Sequence, residues 1–385
     1  MITTLLLLLV VAALIYWLVS CLLVLAFFRQ PQAIDPNFCP PVSILKPLKG
    51  MDAGMVENFA SFCRQDYPDF ELIFGVADAD DPAIDAVTEL RQAFPGCRIR
   101  LVVTAPTYVN RKAGVLHVLA AEARHDILVA SDSDVRVEPG YLRRVVSPLA
   151  NPAVGLVTCA YRGIQPLTLT ARLEALYMGA TFLPSLLVAR KFLAMHFAMG
   201  ATVALRRADL ARIGGFAAVG DYLADDYQIG ARIADVGLRV HMSDEIVDIV
   251  LGRTNFRDQW DREVRWAQCS RVSRPLEYPG LLLTFSTPFA LLYLVATGLA
   301  AQGWLVLGLS LLLRWLVAWL VTARTDNRAL RPWLILLPIR DLLTMLVWLA
   351  GLVGHRVVWR GEEYLLQGDG RLKAVEPTDH RVWER

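Results

Sequence analysis

The pattern of apolar and polar positions divides the chain into three regimes. Residues 2–28 carry no charge, and at ~1.5 Å rise per residue a helix of that length covers a ~30 Å hydrocarbon core. The run has no basic leading region and no small-residue cleavage site, so it predicts a retained anchor and not a removed signal. Three further apolar stretches, 281–300, 303–322 and 333–354, predict membrane segments near the C-terminus. Between them, from about residue 40 to 250, short β-branched runs alternate with longer helical ones. Strands are expected at 42–46, 71–77, 98–103, 127–131 and 154–161, and helices at 54–65, 82–94, 111–124 and 139–149. Runs such as Ile127-Leu128-Val129-Ala130-Ser131 suit burial on both faces, as in a parallel sheet covered by helices. That pattern reads as a doubly wound α/β domain of nucleotide-binding type. Its ligands bind beyond the C-terminal ends of the strands.

The resulting organisation is an anchor (1–28), a Pro-rich linker (29–41), an α/β domain (42–250), an interfacial region (251–280), membrane segments (281–356) and a tail (357–385). Past residue 165 the strand pattern weakens. Residues 168–193 are apolar with sparse charge, and 256–274 mix Phe256, Trp260, Val264 and Trp266 with five arginines. Both compositions predict elements lying at a bilayer surface.

Composition sharpens this picture. The chain has 385 residues, 55% of them hydrophobic, which is too apolar for an ordinary soluble enzyme. A net charge of +2 gives no sign of nucleic-acid binding as the main task. Arg29 after the first span, with Arg324, Arg328 and Arg331 between the last two, puts the middle region in the cytosol and the N-terminus outside. Four full crossings would leave the tail outside, although it carries Arg356, Arg360, Arg371 and Lys373. One re-entrant or interfacial segment removes the conflict. Pro338-Ile339-Arg340-Asp341 interrupts the last apolar run and Arg314 sits inside the one before; such polar groups must face protein or water. The six cysteines form no C-x-x-C pair and have no His at zinc spacing, which fits reduced thiols and no structural zinc.

Candidate chemistry falls at the strand ends. Asp132 and Asp134 follow the fourth strand, and two carboxylates at i and i+2 can share Mg²⁺ or Mn²⁺ with a phosphate. The competing use is a turn in which Asp caps the next helix. Asp78 follows the second strand, where it can accept hydrogen bonds from a base or ribose; Asp81, before Pro82, suits an N-cap. Lys112, or the helix start at Asn110-Arg111-Lys112, can touch phosphate, with a plain cap as the alternative. In Asp225-Asp226-Tyr227 one acid caps a helix, leaving the other for general-base work. Arg262 and Arg265, at i and i+3, share a helix face beside Trp266 and match phosphate oxygens. The rival reading is an interfacial helix meeting anionic headgroups.

As an ordered set, Asp78, Asp132-Ser133-Asp134, Asp226 in A-D-D-Y and R-x-x-R-W at 262–266 resemble family 2 and family 21 glycosyltransferases of GT-A fold. PPVSILKPLKG (40–50), DADDPAIDAV (78–87), SDVRVEP (133–139), YLADDY (222–227) and WRGEEYLL (359–366) look like the ceramide glucosyltransferase group, which includes bacterial hopanoid-associated relatives. The resemblance spans nearly the whole chain. It implies a Rossmann-like, mostly parallel catalytic domain and membrane helices at both ends, a multi-pass protein of the bacterial inner membrane with a cytosolic site. Asp226 would be the catalytic base, Asp78 would contact the nucleotide, and Asp132 and Asp134 would serve the metal-bound diphosphate. Arg262, Arg265 and Trp266 would hold the diphosphate and the shape of the site. The donor would be a UDP-sugar and the acceptor a hydroxyl of a membrane lipid. Eukaryotic members commonly carry His-Pro where this chain has Phe182-Leu183-Pro184, and often D-S-G where it has a full D-x-D. These departures favour a bacterial lipid such as a hopanoid polyol, with UDP-N-acetylglucosamine as a possible donor. A processive polysaccharide synthase and a non-catalytic nucleotide-sugar-binding protein are the alternatives.

Overall fold

The computed structural model describes residues 1–375 except Gln30 and Arg360. One mixed sheet organises the middle region. Its strands are β1 (Val42–Leu48), β2 (Phe70–Val76), β3 (Ile99–Val103), β4 (Ile127–Ala130), β5 (Val135–Arg136), β6 (Val154–Pro166), β7 (Val203–Arg206) and β8 (Arg239–Gly252), in the spatial order β3-β2-β1-β4-β7-β6-β8-β5. The β3-β2-β1-β4 half is parallel throughout, and β6 and β8 are parallel to each other. β7 is the reversed strand that joins the halves.

All seven residues of β1 are buried, and their alternation feeds two cores. Ile44 packs with Phe59, Phe62 and Phe74 on one face, and Leu45 with Ile73, Leu116 and Leu128 on the other. The five expected strands and four expected helices form, with ends moved by a few residues. The sheet, however, does not stop near residue 165. β7 and β8 extend it to Gly252. Ser243-Asp244-Glu245 interrupts the apolar alternation of β8 and conceals it from a periodicity reading.

Residues 168–193 also depart from expectation. They form a helix, Leu169–Tyr177, a π-helical turn, Met178–Phe182, and a second helix, Leu183–Phe192. The two helices pack on β6, and the assembly also contacts the Ile2–Phe27 and Ala301–Arg324 helices, so it is embedded in protein and not laid on a surface. Its sparse charge reflects cover on both sides.

Ile2–Phe27 and Ala301–Arg324 are long and apolar enough to cross a membrane, as is Arg328–Val353 taken as one stretch. The expected 281–300 segment is broken into Tyr278–Thr284 and Ser286–Ala296, bent by 66°. The last helix, Leu337–Val353, lies along the Phe256–Ser273 helix. At its start Arg340 clasps Glu263 at 2.7 and 2.8 Å; at its end Arg271 donates to the carbonyls of Leu352 and Gly354. Arg314 pairs with Asp341 at 2.6 Å and donates to the Ala180 carbonyl. The polar groups within the apolar runs therefore all point into protein.

After that helix the chain returns to the α/β domain as a three-stranded antiparallel sheet: β9 (Arg356–Trp359), β10 (Glu362–Leu366) and β11 (Leu372–Ala374). Leu372 N–H donates to the Asp221 carbonyl at 2.7 Å and Leu223 N–H to that of Gly370 at 3.1 Å. The tail, whose side the sequence left open, is thus through residue 375 a sheet docked on the α/β domain. Residues 376–385 of that tail lie outside the described residues.

Candidate active site

A cavity of about 910 Å³ opens at the C-terminal ends of β1 and β4. Of the residues singled out in the sequence, Lys112, Asp132, Asp134, Asp226, Arg262, Arg265 and Trp266 all line it. Asp78 stands at the rim. Its neighbour Ala77 lines the cavity, and its carboxylate accepts from Arg111, a lining residue, at 3.2 Å.

The centre is built by four segments. Asn110 caps the Arg111–Glu122 helix by accepting from the Ala113 amide at 3.0 Å, which resolves the cap alternative in favour of Asn110 and frees Lys112. Lys112 then reaches Asp132 at 2.6 Å and approaches Asp225 at 3.9 Å. Asp226, in the first turn of the Asp225–Asp235 helix, accepts from the amides of Gly200 and Tyr227, each at 2.7 Å. Close approach favours glycine at position 200. A Cβ there would meet Lys112 Nζ at 3.0 Å, Asp132 Oδ2 at 3.2 Å and Asp226 Oδ2 at 3.3 Å. Four charged or backbone groups therefore converge on one point.

The electrostatics follow from this crowding. Burial, and then Asp225 beside it, raises the Asp226 pKa to about 6. Burial raises Asp225 as well, against the pull of Lys112. Burial works against the Lys112 charge, but Asp132, Asp225 and Asp226 outweigh it and hold the amine above its usual value. A carboxylate poised near neutrality beside firmly charged groups suits proton abstraction from a hydroxyl.

The Arg262-x-x-Arg265-Trp266 segment sits on the Phe256–Ser273 helix, capped by Asn255. Arg262 is engaged with buried Glu174 at 2.6 Å, Arg265 lies over the Trp359 ring, and Trp266 stacks with Tyr177. Both arginines line the cavity while each is held by a partner.

Periodicity passed over several residues that share this site. Lys46 is fully buried in β1, above the Phe62 ring, and donates to the Asp132 backbone carbonyl at 2.8 Å and to Ser131 Oγ at 3.3 Å. Burial lowers its amine to about 7, against Asp132, Asp134 and Asp52. Ser133 Oγ donates to Asp52, whose loop approaches Gly252 so closely that a Cβ on Gly252 would meet Ala53 at 2.3 Å. From the C-terminal sheet, Glu362 accepts from Lys49 and Arg111 at 3.0 and 3.1 Å. The Tyr364 hydroxyl and then Lys49 and Arg111 hold Glu362 down to about 2. A lysine inside an apolar strand, in Val42-Ser43-Ile44-Leu45-Lys46, was the one available signal for Lys46.

Among the described residues no three His, Cys, Asp or Glu side chains form a ready cation cage. Asp132 and Asp134 supply hard oxygen donors from one turn facing the cavity, a set that fits a cation whose shell is completed by a phosphate ligand.

The family model of glycosyl transferase family 21 matches residues 5–372. The chain belongs to glycosyl transferase family 21. Ceramide glucosyltransferase 1 of Caenorhabditis elegans is 23% identical over 371 residues, covering 91% of this chain and 78% of that protein. The ceramide glucosyltransferase of Komagataella phaffii is 32% identical over 149 residues, 35% of this chain and 29% of that protein. Among solved structures, a mannosyltransferase of Pyrobaculum calidifontis in complex with GDP-Man and Mn²⁺ superposes with a TM-score of 0.57 at 19% identity, over 91% of this chain and 99% of that one. The fold is GT-A. This family 21 member is a hexosyltransferase and a membrane protein, with apolar helices before and after its catalytic domain.

Proposed function

We propose that this family 21 enzyme transfers a hexosyl group from a UDP-sugar to a hydroxyl of a membrane lipid, in a single inverting displacement. One observation carries the reading. The cavity that holds Asp226 is continuous with an apolar half lined by Phe182, Leu186, Phe197, Leu281 and Phe285, on elements packed against the apolar helices. A soluble, anionic donor suits the polar half, and an acyl chain suits the other.

In this mechanism Asp226 accepts the proton of the acceptor hydroxyl. The hydroxyl oxygen attacks C1 of the sugar from the face opposite the diphosphate, the C1–O bond to the β-phosphate breaks, and UDP leaves with the electron pair. Lys112, Arg262 and Arg265 stabilise the charge that develops on UDP. Asp132 and Asp134 would hold Mg²⁺ or Mn²⁺, which supplies further neutralisation of the diphosphate. Asp78 and Arg111 receive the nucleoside end. The relatives named above act on ceramide by their names, so ceramide is the first acceptor to offer and glucose the first sugar. The catalytic domain works on the cytosolic side, where nucleotide sugars are available, in the inner membrane of a bacterium.

The test is incubation of membranes bearing the enzyme with UDP-glucose or UDP-N-acetylglucosamine, each with ceramide or a hopanoid polyol and Mg²⁺ or Mn²⁺. Mass spectrometry of the lipid extract is compared with an Asp226→Asn variant. One added sugar, absent in the variant, supports the proposal and names the substrates. A long polymer in its place would establish the processive-synthase alternative. Unchanged donor in every combination would sink the transfer reading.

A further inference from the structure

Lys49 and Arg111 are two cations of the cavity wall, on the loop after β1 and at the start of the Arg111–Glu122 helix. Neither stands alone. A single oxygen of Glu362, Oε1, accepts from Lys49 Nζ at 3.0 Å and Arg111 Nη1 at 3.1 Å, while Oε2 accepts from the Tyr364 hydroxyl. Arg111 spends a second nitrogen on Asp78. Glu362 does not itself face the cavity; its neighbours Trp359, Gly361 and Tyr364 do. It therefore grips the two cations from behind.

Its support is a packed sheet. β9, β10 and β11 share a small core of Val357, Tyr364, Leu366 and Leu372 with Leu223, two residues before Asp225. Backbone hydrogen bonds from Leu372 to Asp221 and from Leu223 to Gly370 tie the same sheet to the segment that leads into Asp225-Asp226. The sheet thus spans both sides of the site although it follows the last apolar helix.

We propose that Glu362 is a positioning residue for the donor: it fixes Lys49 and Arg111 so that their remaining N–H groups aim at a nucleoside diphosphate. The proposal rests on the reading of the cavity as a nucleotide-sugar site. A lysine carries three donors and an arginine five, so the contacts to Glu362 and Asp78 leave several for phosphate and ribose oxygens. Both side chains are about one-third exposed. Freed from Glu362, they take up solvent rotamers, and donor binding must then order them at an entropic cost. Their like charges, held on one oxygen, also separate.

Equilibrium binding of UDP and steady-state kinetics, on the full chain in detergent, test this with Glu362→Gln, Lys49→Met and the double variant. The Kd for UDP and the donor KM rise roughly five- to tenfold in Glu362→Gln, kcat moves less than about twofold, and the acceptor KM does not change. The double variant weakens UDP binding by less than the product of the single effects, because both act through one contact. UDP binding as tight as in the parent, or tighter, in Glu362→Gln overturns the proposal, the tighter result making Glu362 a competitor of the donor. A drop in kcat with unchanged UDP affinity also overturns it and makes the residue merely structural. Failure of the parent chain to bind UDP at all is a different outcome. It strikes the nucleotide-sugar reading on which the inference stands.

Discussion

The guanidinium of Arg340 and the carboxylate of Glu263 form a two-pronged pair, 2.8 and 2.7 Å, with both side chains at most 3% exposed. Glu263 lies between Arg262 and Arg265, so this pair joins the cavity-lining Phe256–Ser273 helix to the last apolar helix. Removing one partner leaves a buried, uncompensated charge, which costs about 3–5 kcal/mol. Arg340→Met is therefore expected to lower the unfolding midpoint sharply and reduce activity with it. The double change Glu263→Leu with Arg340→Leu, which removes both charges, should recover most of the loss in thermal unfolding. Equal damage in single and double variants would show that the pair is not an isolated unit.

Lys46 acts from below on the turn that carries Asp132 and Asp134. Its ammonium holds the Asp132 carbonyl and Ser131 hydroxyl in a place no solvent reaches. Lys46→Met keeps the volume and the contact with Phe62 but releases the turn. Displacement of a reacting group by about 1 Å costs on the order of 10²-fold in rate, so kcat/KM for the donor should fall by about that factor while the protein still folds. Circular dichroism and donor kinetics together check it; a variant as active as the parent removes Lys46 from the site.

The pH profile depends on Asp226. Its pKa is raised to about 6 by burial and then by Asp225, so the carboxylate is protonated below that value and cannot accept a proton. Donor kcat/KM, which reports the free enzyme, is expected to rise with pH to a plateau above a midpoint near 6, and to decline tenfold per unit on the acid side. Asp226→Asn should lose about 10²–10⁴-fold and show no acid limb. An acid limb that persists in the variant would assign the titration to another group.

Legibility in the sequence followed the range of the interactions. The strands of the parallel half are readable because β1, β2 and β4 are buried on both faces and so carry mostly apolar runs, with Ser43, Lys46 and Glu71 as buried exceptions. Asp132, Asp134 and Asp226 are readable because strand ends and a helix start put short polar motifs next to such runs. β8 is not, since Asp244, Glu245 and Asp248 find Arg144 and Arg162 as partners from elsewhere in the chain. Neither is the burial of 168–193, whose cover comes from helices at both ends of the sequence. Lys46, Glu174 and Glu362 owe their meaning to partners 85 to 313 residues away, and no local pattern announces such pairs.

The side on which the chain ends is the last prediction. Four crossings would separate β9–β11 from the site, yet Glu362, Leu372 and Gly370 bond directly to Lys49, Asp221 and Leu223. An interfacial placement of Leu337–Val353 would remove the conflict. This helix follows the polar Phe256–Ser273 helix along its length and turns an apolar face outward through Ile339, Leu342, Leu346 and Leu349. That is the form of an interfacial element, with Arg340 and Asp341 turned to protein. We predict that the chain crosses with Ile2–Phe27, enters and returns through the bent Tyr278–Ala296 segment and Ala301–Arg324, and does not cross again. In a background free of native cysteines, single cysteines at Thr3, Asp126 and Lys373 report the outcome to an impermeant thiol reagent in inverted vesicles and spheroplasts. Asp126→Cys and Lys373→Cys should react from the same side and Thr3→Cys from the other. Labelling of Lys373→Cys together with Thr3→Cys would mean that Leu337–Val353 spans the bilayer, and that the C-terminal sheet cannot reach Lys49 and Arg111.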